Sequence, residues 1–371
     1  MFWTHQTTPA IRLPQLGALA LMIALLPAPA MAADSMSADT PAVVTTIQPV
    51  HSLIAGVTAG VTEPHQLVRG GQSPHSFSLA TSDARALHRA DIIFGAGDTI
   101  EGFLERAARS LPDTTRIVWM AAIDGMILHD AREGGGWEPH DHDHDHGHDD
   151  DHGHDDDHGH DDDHGHDDEH GHDDDHAHDD GHGHDDGHSD EHGHDDHGHG
   201  GIDTHIWLDP RNAIRLTEHA AEVLSEVDPA NAERYRANAD SQVERLQALD
   251  EELDGKLDMA RDKPYLVFHD AYQYFERRYG LAAAGSVTVE PDRAPGARRI
   301  NELGNRIDED GIVCIFAEPQ FEPKVINVIR EGTDVRTGEL DPLGARIDPG
   351  RDAYFELLRN LAADLESCLS A

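Results

Sequence analysis

The stretch NAERYRANADSQVERLQALDEELDGKLDM, residues 231–259, decides the fold. Its apolar residues Val243, Leu246, Leu249, Leu253 and Leu257 recur at helical spacing while charged residues cover the other faces, which predicts one amphipathic helix. It is long for a globular helix, so it reads as a rigid spacer. A helical pattern already runs from Pro210, and Asp228-Pro229 breaks the two apart, because the residue before a proline is pushed out of the helical region.

On each side of this helix stands a series of short apolar runs alternating with helical patterns. Before it, strands are expected at 42–47, 65–68, 91–95 and 115–119, with helices at 52–60, 82–90 and 99–110 between them. After it, strands at 265–268, 286–289, 312–316 and 335–340 alternate with helices at 271–279, 295–308, 321–331 and 352–369. Continuous Val/Ile-rich strands separated by helices imply parallel sheets covered on both faces. The expected fold class is therefore α/β: two Rossmann-like lobes with mainly parallel sheets, joined by a long rigid helix, with a cleft between them. The N-terminal lobe is assigned to 33–228, the linking helix to 229–262 and the C-terminal lobe to 263–371. In such sheets ligands sit beyond the carboxyl ends of the strands.

Residues 137–201 interrupt the first lobe with His-Asp-His and Gly-His-Asp-Asp repeats. Such a segment buries too little apolar surface to form a core, so a disordered loop is expected. Acidity alone does not explain why 22 of the 31 histidines lie between His140 and His199. Imidazole and carboxylate at this density are ligands for zinc, nickel or copper. His140, His142, His144, His146, His148, His152 and His154 are typical of these auxiliary, low-affinity positions, because flexible ligands lose conformational entropy when they close on an ion. Residues 140–200 hold 26 of the 73 acidic residues and no basic ones, which leaves 28 Lys and Arg against 47 acids, a net charge of −19 on the rest. A chain this acidic is not a nucleic-acid binder, and it attracts cations.

Residues 1–32 have the features of a secretory signal: Arg12, the apolar run Leu16 to Leu26, and a small-residue end at Ala32, where cleavage is expected. The run is shorter than the ~20 apolar residues a membrane span needs, and nothing later approaches that length, so no stable membrane insertion is expected. Export without a cysteine for a lipid anchor points to the periplasm, and a monomer is expected. The only cysteines, Cys314 and Cys368, are an even pair in an exported chain, for which oxidising conditions favour a disulfide over two buried thiols.

Three histidines stand in short motifs at expected strand ends: His75 in Ser-Pro-His-Ser-Phe-Ser-Leu, His205 in Thr-His-Ile-Trp-Leu-Asp-Pro, and His269 in Val-Phe-His-Asp-Ala-Tyr. Any one of them has an ordinary explanation in a hydrogen-bonded loop histidine. Three together, in a chain with this tract, point to a metal held by imidazoles, which leaves one tetrahedral position for a carboxylate or water. Asp341 in Leu-Asp-Pro-Leu-Gly is the best fourth candidate, although a turn before Pro342 also explains it. His51, just after the first strand, is a weaker candidate. Asp270 could fix an imidazole tautomer or serve a helix N-terminus. Glu318 is accounted for by the turn at Pro319, and His65, His88, His129 and His219 have loop or helix explanations.

Thr-Glu-Pro-His-Gln-Leu (62–67), Pro-His-Ser-Phe-Ser-Leu-Ala-Thr-Ser-Asp (74–83), His-Ile-Trp-Leu-Asp-Pro (205–210), Phe-His-Asp-Ala-Tyr-Gln-Tyr-Phe-Glu (268–276), Phe-Ala-Glu-Pro-Gln-Phe (316–321) and Leu-Asp-Pro-Leu-Gly (340–344) follow in order. Together they resemble the zinc-binding periplasmic component of bacterial zinc-uptake ABC transporters, over essentially the whole mature chain. The resemblance implies two α/β lobes with a helix between them, Zn2+ in the cleft bound by His75, His205 and His269, and delivery to a membrane permease. It also implies a His- and acid-rich loop at this place and, as in some members, a disulfide matching Cys314 and Cys368. The related manganese- and iron-binding proteins and adhesin-like relatives are similar, but usually have Glu in place of His269 and lack the long loop. Some zinc members carry a Glu directly before the first His, where this chain has Pro74, so Asp341 or a water must complete the sphere. A zinc enzyme is a further alternative, since three His and a water describe a catalytic site too, but no motif supplies a general base and no phosphate loop is present. A periplasmic zinc store with the tract as its main site is the third.

Overall fold

The computed structural model describes residues 40–133, 135–137, 201–288, 291, 294–321 and 324–370, and the expected signal segment and the tract histidines lie outside them. The chain builds two four-stranded parallel sheets of the same strand order. The first contains β1 (Val43–Thr45), β2 (His65–Gln66), β3 (Ile92–Gly95) and β4 (Arg116–Trp119), in the order β2-β1-β3-β4. Helices α1 (Gln48–Val57), α2 (Thr81–Leu87) and α3 (Gly102–Ala108) are its crossovers. The central strands β1 and β3 are buried throughout, as parallel strands covered on both faces must be, whereas the edge strand β4 exposes Arg116.

Two helices follow without a strand: α4 (Pro210–Val227) and α5 (Ala232–Lys256). Asp209 caps α4 by accepting from the Arg211 amide, and Pro210 fits the first turn because its missing N–H is not needed there. A 3-10 turn at Pro229–Asn231 separates the pair, as the Asp-Pro break predicts. The long helix ends at Lys256, three residues short of the expected end, where Leu257–Ala260 tightens into a 3-10 turn. Its buried stripe is Tyr235, Ala239, Gln242, Leu246, Leu249 and Leu253, steps of three and four. Gln242 takes the place expected for Val243, and its Nε2 donates to Leu53 O and Thr217 Oγ1, both at 2.9 Å, while its Oε1 is buried with no partner among the described residues. Each fully buried Leu contributes about 2 kcal/mol to holding α5 down.

The second sheet repeats the first, with β5 (Tyr265–His269), β6 (Ala283–Thr288), β7 (Cys314–Ala317) and β8 (Arg336–Glu339) in the order β6-β5-β7-β8. Its helices are α6 (Gln273–Tyr279), α7 (Ala297–Glu309), α8 (Lys324–Ile329) and α9 (Ala353–Leu369). The last helix packs on α1 and α5 as well as on its own sheet, so one continuous hydrophobic core runs through both lobes. A disulfide joins Cys314 at the start of β7 to Cys368 near the end of α9, with Cα atoms 6.1 Å apart. No helix among the described residues is long and apolar enough to cross a membrane.

Polar ties also cross between the lobes. Trp207 Nε1 donates to Pro342 O at 2.9 Å, and Tyr354 Oη donates to Trp207 O at 2.7 Å. The Gln48 side-chain amide of α1 donates to Gly344 O and Ile347 O, both at 2.9 Å. Arg132, on the segment leaving the first lobe, is held by Asp270 and Glu276 of the second.

Candidate metal centre

Of the three motif histidines, only His269 stands on a strand end, as the last residue of β5. His75 lies in the loop between β2 and α2, and His205 directly precedes a 3-10 turn at Ile206–Leu208. The expectation that all three sit at strand ends is therefore corrected for two of them. They nevertheless converge. One nitrogen from each ring lies within 4.8 Å of the other two, and ring centroids are 5.3–5.9 Å apart.

The Nε2 atoms of His205 and His269 face each other at 3.4 Å. Two nitrogens bound tetrahedrally to one zinc at ~2.05 Å would be separated by about 3.3 Å, so this pair already has the spacing a zinc ion requires. The third needs to move in by at most about 1.5 Å. The chemistry of the other ring nitrogens agrees. Asp203 Oδ1 accepts from His205 Nδ1 at 2.8 Å and from its backbone amide at 3.0 Å, while Glu318 Oε1 accepts from His269 Nδ1 at 2.6 Å. A carboxylate only accepts, so each Nδ1 carries the hydrogen and each Nε2 turns its lone pair to the cleft.

His205 and His269 are buried, whereas His75 is exposed at the cleft mouth. Burial opposes charge on His269, but the Glu318 carboxylate, by charge and by hydrogen bond, outweighs it and raises the pKa. Loss of water around the ring, then the His269 and His205 imidazoles, push His75 well below the usual histidine range, even though the residue keeps an exposed surface. Apolar side chains of Ile100, Trp207, Phe321 and Leu343 line the same cavity. They lower the local dielectric, which strengthens the attraction between an ion and its ligands and makes an incompletely ligated ion costly there.

The remaining candidates are placed elsewhere. Asp341 does not join the imidazoles: its Oδ1 accepts from the Leu343 and Gly344 amides at 3.1 and 2.9 Å and from Gln320 Nε2 at 2.8 Å, and its Oδ2 accepts from the Ala345 amide at 2.6 Å. The turn explanation holds for it, helped by the positive φ of Gly344. His51 lies buried in α1 with Nδ1 3.1 Å from Thr45 Oγ1, and burial, then Arg69 and His65, lower its pKa to about 4. It is a core histidine outside the cluster. Asp270 orients no imidazole; it pairs with Arg132. The tautomer-fixing carboxylates are Asp203, unremarked in the sequence, and Glu318, read there as a turn residue. One signal was present for Glu318, its position at the end of a strand. That its strand β7 lies beside β5 was not readable. The auxiliary tract histidines, His140 to His154 among them, fall outside the described residues.

The family described as zinc-uptake complex component A, periplasmic, matches residues 43–368. The high-affinity zinc uptake system protein ZnuA of Brucella suis is 44% identical over 91% of this chain and 94% of its own length. That of Paracoccus denitrificans is 41% identical over 90% and 93%. The solved Zn(II)-bound ZnuA-like domain of Streptococcus pneumoniae AdcA superposes with a TM-score of 0.60 at 20% identity, covering 90% of this chain and all of that one, which extends the likeness of fold. Family coverage from the first strand to the last helix, with identity of this order along nearly the full length, places the chain in the periplasmic zinc-uptake component A family.

Proposed function

We propose that this chain is the periplasmic zinc-binding protein of an ABC zinc-uptake system, capturing Zn2+ between its lobes through His75, His205 and His269 and surrendering it to a membrane permease. The observation that carries the proposal is the pair of Nε2 atoms at 3.4 Å, each backed by a carboxylate on Nδ1. Three nitrogens and few oxygens favour zinc over manganese, a harder ion suited to carboxylate and water. Zinc is cargo here, and no reaction is assigned to it; Asp203 Oδ1 and Glu318 Oε1 serve to orient imidazoles. Export through the signal segment, cleaved near Ala32, would place the mature monomer in the periplasm. The tract from His140 onward would hold further zinc more weakly and raise its local concentration.

Metal titration of the mature chain tests this. Deleting residues 140–200 should leave one tight zinc per chain, and His269→Ala in that background should remove it. Loss of all tight binding on deleting the tract would make the protein a store and overturn the proposal.

A further inference from the structure

The cleft offers three imidazoles, and no Asp, Glu or Cys among the described residues joins them. Asp341 is engaged by its turn, Asp203 by His205, and Glu318 by His269 through Oε1, its Oε2 being buried without a partner among the described residues and outside the histidine cluster. Yet the cavity is not without polar groups. Ser73 Oγ and Gln320 Oε1 are buried, line the same cavity as the histidines, and find no hydrogen-bond partner among the described residues. Buried oxygens left in this state destabilise the fold unless something donates to them. Both can accept a hydrogen bond, and for Gln320 the orientation follows from its neighbour. Its Nε2 donates to Asp341 Oδ1 at 2.8 Å, and because a carboxylate cannot donate, Oε1 must be the end left over.

A water on zinc has the complementary needs. Its oxygen lone pair goes to the metal, so it presents two O–H donors and needs two acceptors. We propose that the fourth zinc position is filled by a water molecule that donates to Gln320 Oε1 and Ser73 Oγ, with Asp341 serving to hold Gln320. This rests on the zinc-binding reading above and extends it. Asp341, expected as a ligand, then acts at two removes: three backbone amides fix its carboxylate, the carboxylate fixes the Gln320 amide, and the amide receives the water. Ser73 is two residues before His75, so the same loop brings a ligand and a water acceptor to the ion. A solvent ligand is exchangeable, and this leaves one position at which an incoming group can attack zinc without first displacing a histidine.

Cobalt(II) substitution tests the proposal, because its visible absorption reports the ligand set. With one equivalent of cobalt on the mature full chain, thiocyanate should replace the water and shift the tetrahedral band saturably. Gln320→Leu should lower zinc affinity roughly 10- to 100-fold, the range seen when a group orienting a metal's ligand is lost, and strengthen thiocyanate binding because the water is no longer gripped. Ser73→Ala should do both to a smaller degree, and Gln320→Glu, which restores an acceptor, should recover much of the zinc affinity. A cobalt band indifferent to thiocyanate would show a protein group in the fourth position and overturn the inference. So would Gln320→Leu and Ser73→Ala variants that bind zinc within twofold of the parent. Either result leaves zinc capture standing. Capture itself fails if His269→Ala retains the tetrahedral band.

Discussion

Glu318 and His269 show how one buried pair sets both affinity and its pH dependence. The raised pKa of His269 means that zinc competes with a proton for Nε2 at pH values above the ordinary 6.5, so affinity should fall as pH drops through that raised value. Glu318→Gln can still accept from Nδ1 but has no charge to offset burial. Zinc affinity at pH 8 should then drop about tenfold, and the onset of proton competition should move to lower pH. Chelator competition across pH 5.5 to 8 would measure both, and an unchanged onset would separate Glu318 from His269. A second buried acid gives the opposite test, of stability rather than binding. Glu101, fully buried at the start of α3, accepts from the Ala96 amide at 2.9 Å, and burial raises its pKa to about 8 against the hydrogen bonds from Thr46, Ala96 and Gly97. Its folded value lies above its unfolded one, so the contribution is complete below about pH 4.5 and is lost toward pH 8, by up to about 1.4 kcal/mol per unit. Glu276, raised to about 7, titrates in the same window, so the parent and Glu101→Gln must be compared. Urea unfolding should show a smaller loss between pH 5 and 8 in the variant. Equal losses would place the dependence elsewhere.

At the scale of elements, the disulfide and the metal centre sit at opposite ends of one strand. Cys314 begins β7 and Ala317 ends it beside Glu318, so the bridge clamps α9 at the amino end of the sheet while the cleft lies beyond the carboxyl end. Replacing both cysteines with alanine should therefore lower stability, by up to about 4 kcal/mol for a loop of this length, and leave zinc affinity within about twofold. Thermal unfolding and zinc titration of the same sample check the two halves. The elements were largely legible because parallel strands are continuous apolar runs and Asp228-Pro229 marks its own break. The site was legible only in part. His75, His205 and His269 announce themselves within local motifs, but the carboxylate on His269 comes from 49 residues away through a β5–β7 pairing that no local pattern encodes. Asp341 misled for a related reason. A carboxylate consumed by the three amides that follow it reads, in sequence, the same as one free to bind metal.

For the whole molecule, the question is whether the lobes swing on binding. A single helix between two lobes would permit a hinge, but α5 is not their only connection. α9 of the second lobe packs on α1 of the first, Tyr354 N donates to Ser52 Oγ at 2.9 Å, and Trp207 stands between Pro342 and Tyr354 with hydrogen bonds to both. Arg132, braced by Asp270 and Glu276, ties the far side. Opening the lobes would break these buried hydrogen bonds together and split a shared core, at a cost well above the few kcal/mol that separate ordinary conformers. Capture should therefore proceed by local movement of the exposed His75, not by domain closure. Spin labels at Glu105→Cys on α3 and Val328→Cys on α8, both exposed, report the distance between lobes without touching the cleft. Zinc should move the mean distance by less than about 2 Å, the scale that separates local adjustment from rearrangement. A larger shift, removed by His269→Ala, would mean that the ties across the cleft yield on binding.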